Sequence, residues 1–314
     1  MHWTPSAASS RQPVLARNVI ATSQPLAAQA GAAAFARGGN AIDAALAAAI
    51  TLTVVEPVMN GIGGDAFAQV WAEGRLHGLN ASGRAPAAWN PGRFKGLDAI
   101  PARGWDSVTV PGQVSGWVAL SERFGALPFA DLFTDAIRHA RDGFPVSPVI
   151  AQQWAQSARD LHMYPGFEAF MPRGRAPAVG EIWRFADQAD TLADIAATRG
   201  ESFYRGRLAQ AITGFAAQHG AHARHRRTAA RQQLPAAVRT PHQPAACRPA
   251  HRRHPGQRRH RVPVCGRRTG AHGVFHPVQL PGFWLGGGGA GYRHCAAQPG
   301  HRFCHHTRPP EPGG

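Results

Sequence analysis

Apolar residues recur with helical or strand periods over roughly the first 220 positions, and both periods are lost beyond that point. Ser23-Gln24-Pro25 predicts a helix start, with a hydroxyl cap and a proline in the first turn. That helix carries Leu26, Ala30 and Phe35 and is predicted to stop at Gly38-Gly39, where a left-handed turn is cheap for glycine. Asn40 with Asp43 reads as a capping box opening a second helix over 41–53. Its residues are nearly all Ala, Ile and Leu, apolar on every side, so it is predicted to be buried and closely packed. Glu56-Pro57 ends it, and the turn-rich Asn60-Gly61-Ile62-Gly63-Gly64-Asp65 follows.

Two short runs, 66–72 and 76–81, flank Glu73-Gly74-Arg75 and predict a β-hairpin. Helical periods return over 114–124, 127–141, 148–159, 191–198 (capped by Asp190) and 207–218. The order of elements predicts a mixed α/β (α+β) region over 14–220, after a flexible N-terminus at 1–13. Residues 221–314 are rich in Pro, Gly, His and Arg, show neither period, and are expected to form a basic, mostly disordered tail.

Charge divides at the same place. The stretch 221–314 holds 16 Arg, no Lys and one acid, Glu311, out of 34 Lys+Arg and 18 Asp+Glu in the chain. That leaves 18 basic and 17 acidic residues in 1–220, so the front is nearly neutral and the back carries +15. All four cysteines lie in the back as well. A cysteine-free front and the lack of an apolar run behind a basic start lead to an expectation of a cytoplasmic location. No segment has the roughly 20 apolar residues that span a bilayer.

The run Asn40-Ala-Ile-Asp-Ala-Ala-Leu-Ala-Ala-Ala, then Val55-Glu-Pro and Gly61-Ile-Gly-Gly-Asp, resembles the start of the γ-glutamyltransferase large subunit. Val110-Pro-Gly-Gln-Val-Ser-Gly-Trp, Arg123-Phe-Gly-Ala-Leu-Pro-Phe and Phe203-Tyr-Arg-Gly are similar to later markers of that family, in the same order. The resemblance implies part of an N-terminal nucleophile hydrolase, an αββα sandwich made as a precursor that cuts itself before a threonine. The freed α-amine, with a pKa near 8, then activates that residue's own hydroxyl, which takes a γ-glutamyl group from glutathione or a relative as an acyl-enzyme. No cofactor or metal is implied. Arg84, in Asn80-Ala-Ser-Gly-Arg84-Ala-Pro, stands where the family places the arginine that grips the substrate's α-carboxylate, a task suited to a planar guanidinium fork. Residues 61–65 precede a strand rather than a helix, so they are read as a structural turn, not a phosphate cradle.

No catalytic residue is assigned. The threonines of the back stretch, Thr228, Thr240, Thr269 and Thr307, lack the family's surrounding sequence. Composition points to a cause at the gene: Arg, Pro, Gly, His and Cys are what a GC-rich gene yields in a wrong frame. With permitted codons, a shift of one base turns 274–286 into S-F-I-Q-S-N-Y-Q-G-F-G-S-G, which resembles the family's small subunit. The same shift makes 287–298 and 256–265 family-like, and puts a nucleophile-like threonine codon across His260 and Arg261. A slipped frame near Gly220, together with a deletion, is therefore expected, and with it an inactive fragment whose sheet edges lack their partners.

Two other readings of the chain stand beside this one. A net +15 would bind nucleic acid non-specifically and with strong salt dependence, although no recognised binding module accompanies it. The chain could also associate with an intact homologue as an inert partner. Cys247, Cys265, Cys295 and Cys304 show no C-x2-C pairing that would predict a zinc site. His77 and His139 are lone residues and are read as ordinary core or surface positions.

Overall fold

A computed structural model describes residues 15–219, apart from 88 and 102, and the backbone of two strands at 264–266 and 272–276. Helix α1 spans Pro25–Ala36 and α2 spans Ala41–Val55. The cap of α1 lies one position beyond the expected Ser23: the Gln24 side chain accepts from Leu26 N and Ala27 N. Ser23 is diverted because its hydroxyl donates to Glu56 Oε2 at 2.6 Å. The helix closes on Gly38 at φ +90°, with Gly39 N donating to Ala34 O at 2.9 Å.

The capping box is formed in full. Asn40 Oδ1 accepts from Ile42 N and Asp43 N, while Asp43 Oδ2 accepts from Asn40 N at 2.8 Å. All fifteen residues of α2 are buried. Its small side chains permit that: a Cβ added at Gly31 of α1 would sit 2.8 Å from Ala44 O, so the two helices approach to backbone distance. The buried hydroxyls of Thr51 and Thr53 donate back to Ala47 O and Ile50 O at 2.8 and 2.7 Å, so neither is left unsatisfied in the apolar interior.

Strands β1 (Ala66–Ala72) and β2 (Arg75–Ala81) form the expected hairpin, with Glu73 and Gly74 both at positive φ in a two-residue turn. Side chains alternate across it. Ala66, Ala68, Val70, Ala72, His77, Leu79 and Ala81 are buried, while Trp71 and its cross-strand partner Leu76 are on the other face, 44% and 43% exposed.

Helices α3 (Gln113–Phe124), α4 (Thr134–Asp142) and α5 (Pro148–Leu161) follow, with a 3-10 segment at Phe129–Phe133 before α4. A small β3–β4 ladder pairs Phe144–Pro145 with Ile182–Trp183. Helices α6 (Ala186–Thr198), α7 (Glu201–Arg205) and α8 (Arg207–Gln218) complete the region. Helix α6 begins well ahead of Asp190. The aspartate is inside the helix rather than at its cap, and its carboxylate pairs with Arg141 at 2.7 Å.

The backbone of β5 (Val264–Gly266) and β6 (His272–His276) extends the sheet to the order β2-β1-β6-β5, with β6 antiparallel to β1. These strands fall in the stretch whose sequence shows no period. Pairing draws on main-chain N–H and C=O groups, which every non-proline residue carries, so it needs no side-chain pattern. The rest of 221–314, including the expected disorder, lies outside the described residues. Helices α2 and α3 pack on the sheet. One helical layer on one sheet is the mixed helix-and-strand arrangement expected for half of an αββα sandwich.

Candidate active site

Four segments far apart in the chain, 61–65, 81–84, 110–115 and Tyr204, meet at the start of α3. Strand β2 ends at Ala81, and the chain turns out through Ser82 and Gly83 to Arg84. Gly83 has φ +80°, and a Cβ there would lie 2.1 Å from Val110 O; one on Gly112 would lie 2.2 Å from Ala81 O. Only glycines let 81–84 and 110–112 run this close. The contact is sealed by Val110 N donating to Arg84 O at 2.9 Å.

The Gly-rich turn joins from the other side. Gly112 N and Gln113 N both donate to Gly64 O at 3.2 Å. With its amide oriented to suit its neighbours, Gln113 also donates to Gly61 O at 2.9 Å and Asp65 O at 3.0 Å. The carbonyls of the turn are thus tied to the start of α3. From α7, the buried Tyr204 hydroxyl donates to Pro111 O at 2.8 Å and accepts from Ser115 N at 2.9 Å. Burial pushes this phenol up to about 12, against the opposing effect of the Ser115 bond, so it stays protonated and donating.

At the rim of this hub is Arg84, the one residue that sequence reasoning placed in a site. Its side chain is exposed, and among the described residues its guanidinium forms no ion pair or hydrogen bond. An arginine whose backbone is pinned and whose fork is free can meet a carboxylate with two parallel bonds.

Asp65 was not singled out from sequence. It is 2% exposed, its Oδ1 has no hydrogen-bond partner among the described residues, and burial pushes its carboxyl up to about 7. The only sequence signal was an acid directly after Gly63-Gly64 in a tight turn, which local pattern reads as a turn former. His77 and His139 are both buried. His77 Nδ1 is 3.2 Å from Arg123, and burial first, then that cation, holds its pKa below the ordinary histidine value. Both are core residues.

Among the described residues no group of three His, Cys, Asp or Glu side chains is placed to hold a metal ion, and no helix is long and apolar enough to cross a membrane. The cysteine side chains and Thr228, Thr240, Thr269 and Thr307 lie outside the described residues.

Residues 27–227 match the model of the gamma-glutamyltranspeptidase family. The chain belongs to this family. The glutathione hydrolase-like YwrD proenzyme of Bacillus subtilis is 36% identical over 213 residues, which cover 66% of this chain and 40% of that protein. The oxamate amidohydrolase proenzyme of Klebsiella pneumoniae is 41% identical over 197 residues, covering 60% of this chain and 37% of that protein. Among solved structures, a cephalosporin acylase from Bacillus halodurans superimposes with a TM-score of 0.67 and 44% identity over 74% of this chain and 46% of that one. The chain therefore spans about two-fifths of the length of the curated gamma-glutamyltranspeptidase relatives it matches.

Proposed function

We propose that residues 14–220 supply the substrate-gripping part of an amide hydrolase or acyl transferase of the gamma-glutamyltranspeptidase family. Arg84 holds the α-carboxylate of a γ-glutamyl compound such as glutathione. The observation that carries this reading is the convergence of four separated segments, 61–65, 81–84, 110–115 and Tyr204, on the start of α3, with an exposed Arg84 guanidinium at its edge that pairs with no described residue. A site held together by main-chain bonds among three segments and by the hydroxyl of a fourth is preorganised, and the guanidinium left exposed by it can bind an anion.

The second part of the proposal is that 221–314, as written, provides no nucleophile, so this chain binds without turning over. In support, none of its threonines has the family's surroundings, and with permitted codons one reading-frame shift gives family-like sequence over 256–265, 274–286 and 287–298. Sequencing the DNA around codon 220 tests it. A one-base slip there is expected; an uninterrupted frame shared by relatives would end the proposal.

A specific observation favours a second choice of acyl group. The oxamate amidohydrolase and the cephalosporin acylase are 41% and 44% identical to the chain, against 36% for the glutathione hydrolase-like protein. Calorimetric titration with γ-glutamyl and with oxamate-type or other acyl amides separates the two. Saturable, Arg84-dependent binding confined to γ-glutamyl compounds supports the first reading, and binding confined to the others supports the second.

A further inference from the structure

Arg84 is held by little of its own. Gly83 before it is at φ +80°, a left-handed conformation that glycine enters and leaves freely. The bridge between Arg84 and Val110 is an isolated pair outside any strand, supported nearby by Thr109 Oγ1 donating to Ser82 O at 3.4 Å. Where the guanidinium points therefore depends on what holds 110–112.

Behind that segment, α3 has no cap of its own. Its first residue is preceded by Gly112, which has no side chain to offer, so the N–H groups of the first turn need acceptors from elsewhere. Gln113 N finds Gly64 O, and Ser115 N finds the Tyr204 hydroxyl at 2.9 Å. The same hydroxyl donates to Pro111 O at 2.8 Å, one residue from Val110. Tyr204 is thus a cap for α3 supplied by α7, and it grips 111 and 115 together. The phenol is itself well seated: Tyr204 is 4% exposed, and Ser202 on the same short helix donates to Asp194 Oδ2 of α6 at 2.8 Å.

We propose that Tyr204 is the positioning residue of the Arg84 site, aiming the guanidinium through Pro111 and the Arg84–Val110 bridge. The inference rests on the reading of Arg84 as a carboxylate grip and adds the group that directs it. A hydroxyl suits the task because it donates to a carbonyl and accepts from an amide at once. Without it, Pro111 O and Ser115 N lose their partner, 110–112 can shift, and the main-chain bond at Arg84 O shifts with it.

The test is calorimetric titration of the full chain with glutathione, for the parent, Tyr204→Phe, Arg84→Ala and the double variant, with hydrogen exchange of the Val110 amide measured alongside. Tyr204→Phe is expected to weaken glutathione by about tenfold, the scale of one lost hydrogen bond, and to speed Val110 exchange by a similar factor. In the Arg84→Ala background it is expected to add nothing, because the group it aims is gone. Asp43→Ala, which loosens the far end of α3, is the structural control and should keep the parent's affinity. Val110→Pro deletes the amide that bonds Arg84 O while leaving Tyr204 in place; it should lose affinity as Tyr204→Phe does, and it carries the test if the latter does not fold.

Tyr204→Phe or Val110→Pro binding glutathione like the parent overturns the inference while leaving the Arg84 reading standing. Unchanged Val110 exchange in Tyr204→Phe, losses that add in the double variant, or an equal loss in Asp43→Ala overturn it too. If the parent does not take glutathione, or Arg84→Ala takes it equally well, the Arg84 reading falls and this inference falls with it.

Discussion

Asp43 and Ala126 are 83 positions apart, yet the aspartate's Oδ2 accepts the Ala126 N–H at 2.9 Å while also accepting from Asn40 N at 2.8 Å. The same capping box reaches further: Asn40 Nδ2 donates to Phe124 O at 2.6 Å. Two of the family's motifs are therefore one structural unit, in which the start of α2 caps itself and ties down the chain leaving α3. Asp43→Ala leaves two main-chain donors without partners. It is expected to lower unfolding free energy by ~2–4 kcal/mol, read as a fall in the urea midpoint. An unchanged midpoint would show the tie to be incidental.

Arg84 is predicted to matter for binding and not for stability. Arg84→Lys keeps the charge but loses the fork, and should weaken binding of a γ-glutamyl compound by about tenfold, with Arg84→Ala weaker still. Melting temperatures of both should match the parent, because the side chain is exposed and contacts no ion-pair partner among the described residues. Equal binding by all three would remove Arg84 from the site.

Asp65 makes a signed prediction. Its folded pKa of about 7 is above the usual carboxylate value. Well below the unfolded Asp value of about 3.9, near pH 2.5, the group is protonated in both states and folding is unaffected. As pH rises toward 7, the unfolded chain ionises and the folded one resists, so stability is lost across that window. Asp65→Asn, neutral at every pH, should therefore raise the melting temperature at pH 8 and leave it nearly unchanged near pH 2.5. A variant that melts lower at pH 8 would mean that the ionised carboxylate is held by a donor and is part of the fold.

The two buried histidines act in the opposite direction. Burial, followed by Arg123 for His77 and by Arg138 for His139, holds each below its ordinary pKa. Each therefore resists protonation in the fold, whereas an unfolded imidazole takes up a proton below pH 6.5. Stability therefore falls as pH drops through 6.5, by at most ~1.4 kcal/mol per pH unit for each ring. Urea midpoints measured from pH 7.5 to 5 should show this slope, flattened in His77→Gln; a flat profile in the parent would mean that the rings titrate freely.

What could be read in the chain was what local physics decides. Helix α8 and the Glu73-Gly74 hairpin appear where periodicity and turn chemistry put them, and the all-apolar second helix is buried on every side. The misplaced details were set by partners distant in sequence. Ser23 does not cap α1 because Glu56 takes its hydroxyl, and Asp190 does not cap α6 because α6 starts earlier and Arg141 takes its carboxylate. In the candidate site, Arg84 is proposed from its motif alone. Asp65 and Tyr204 were not: one is marked by an oxygen with no partner among the described residues, the other by bonds to Pro111 and Ser115 across the fold.

The most direct test of the account is to purify the chain, follow its intact mass, and assay release of aniline from a γ-glutamyl anilide. A single species of 33.4 kDa that binds the γ-glutamyl compound through Arg84 and releases nothing is the predicted result. Two fragments, the second beginning with threonine, together with steady release, would contradict it.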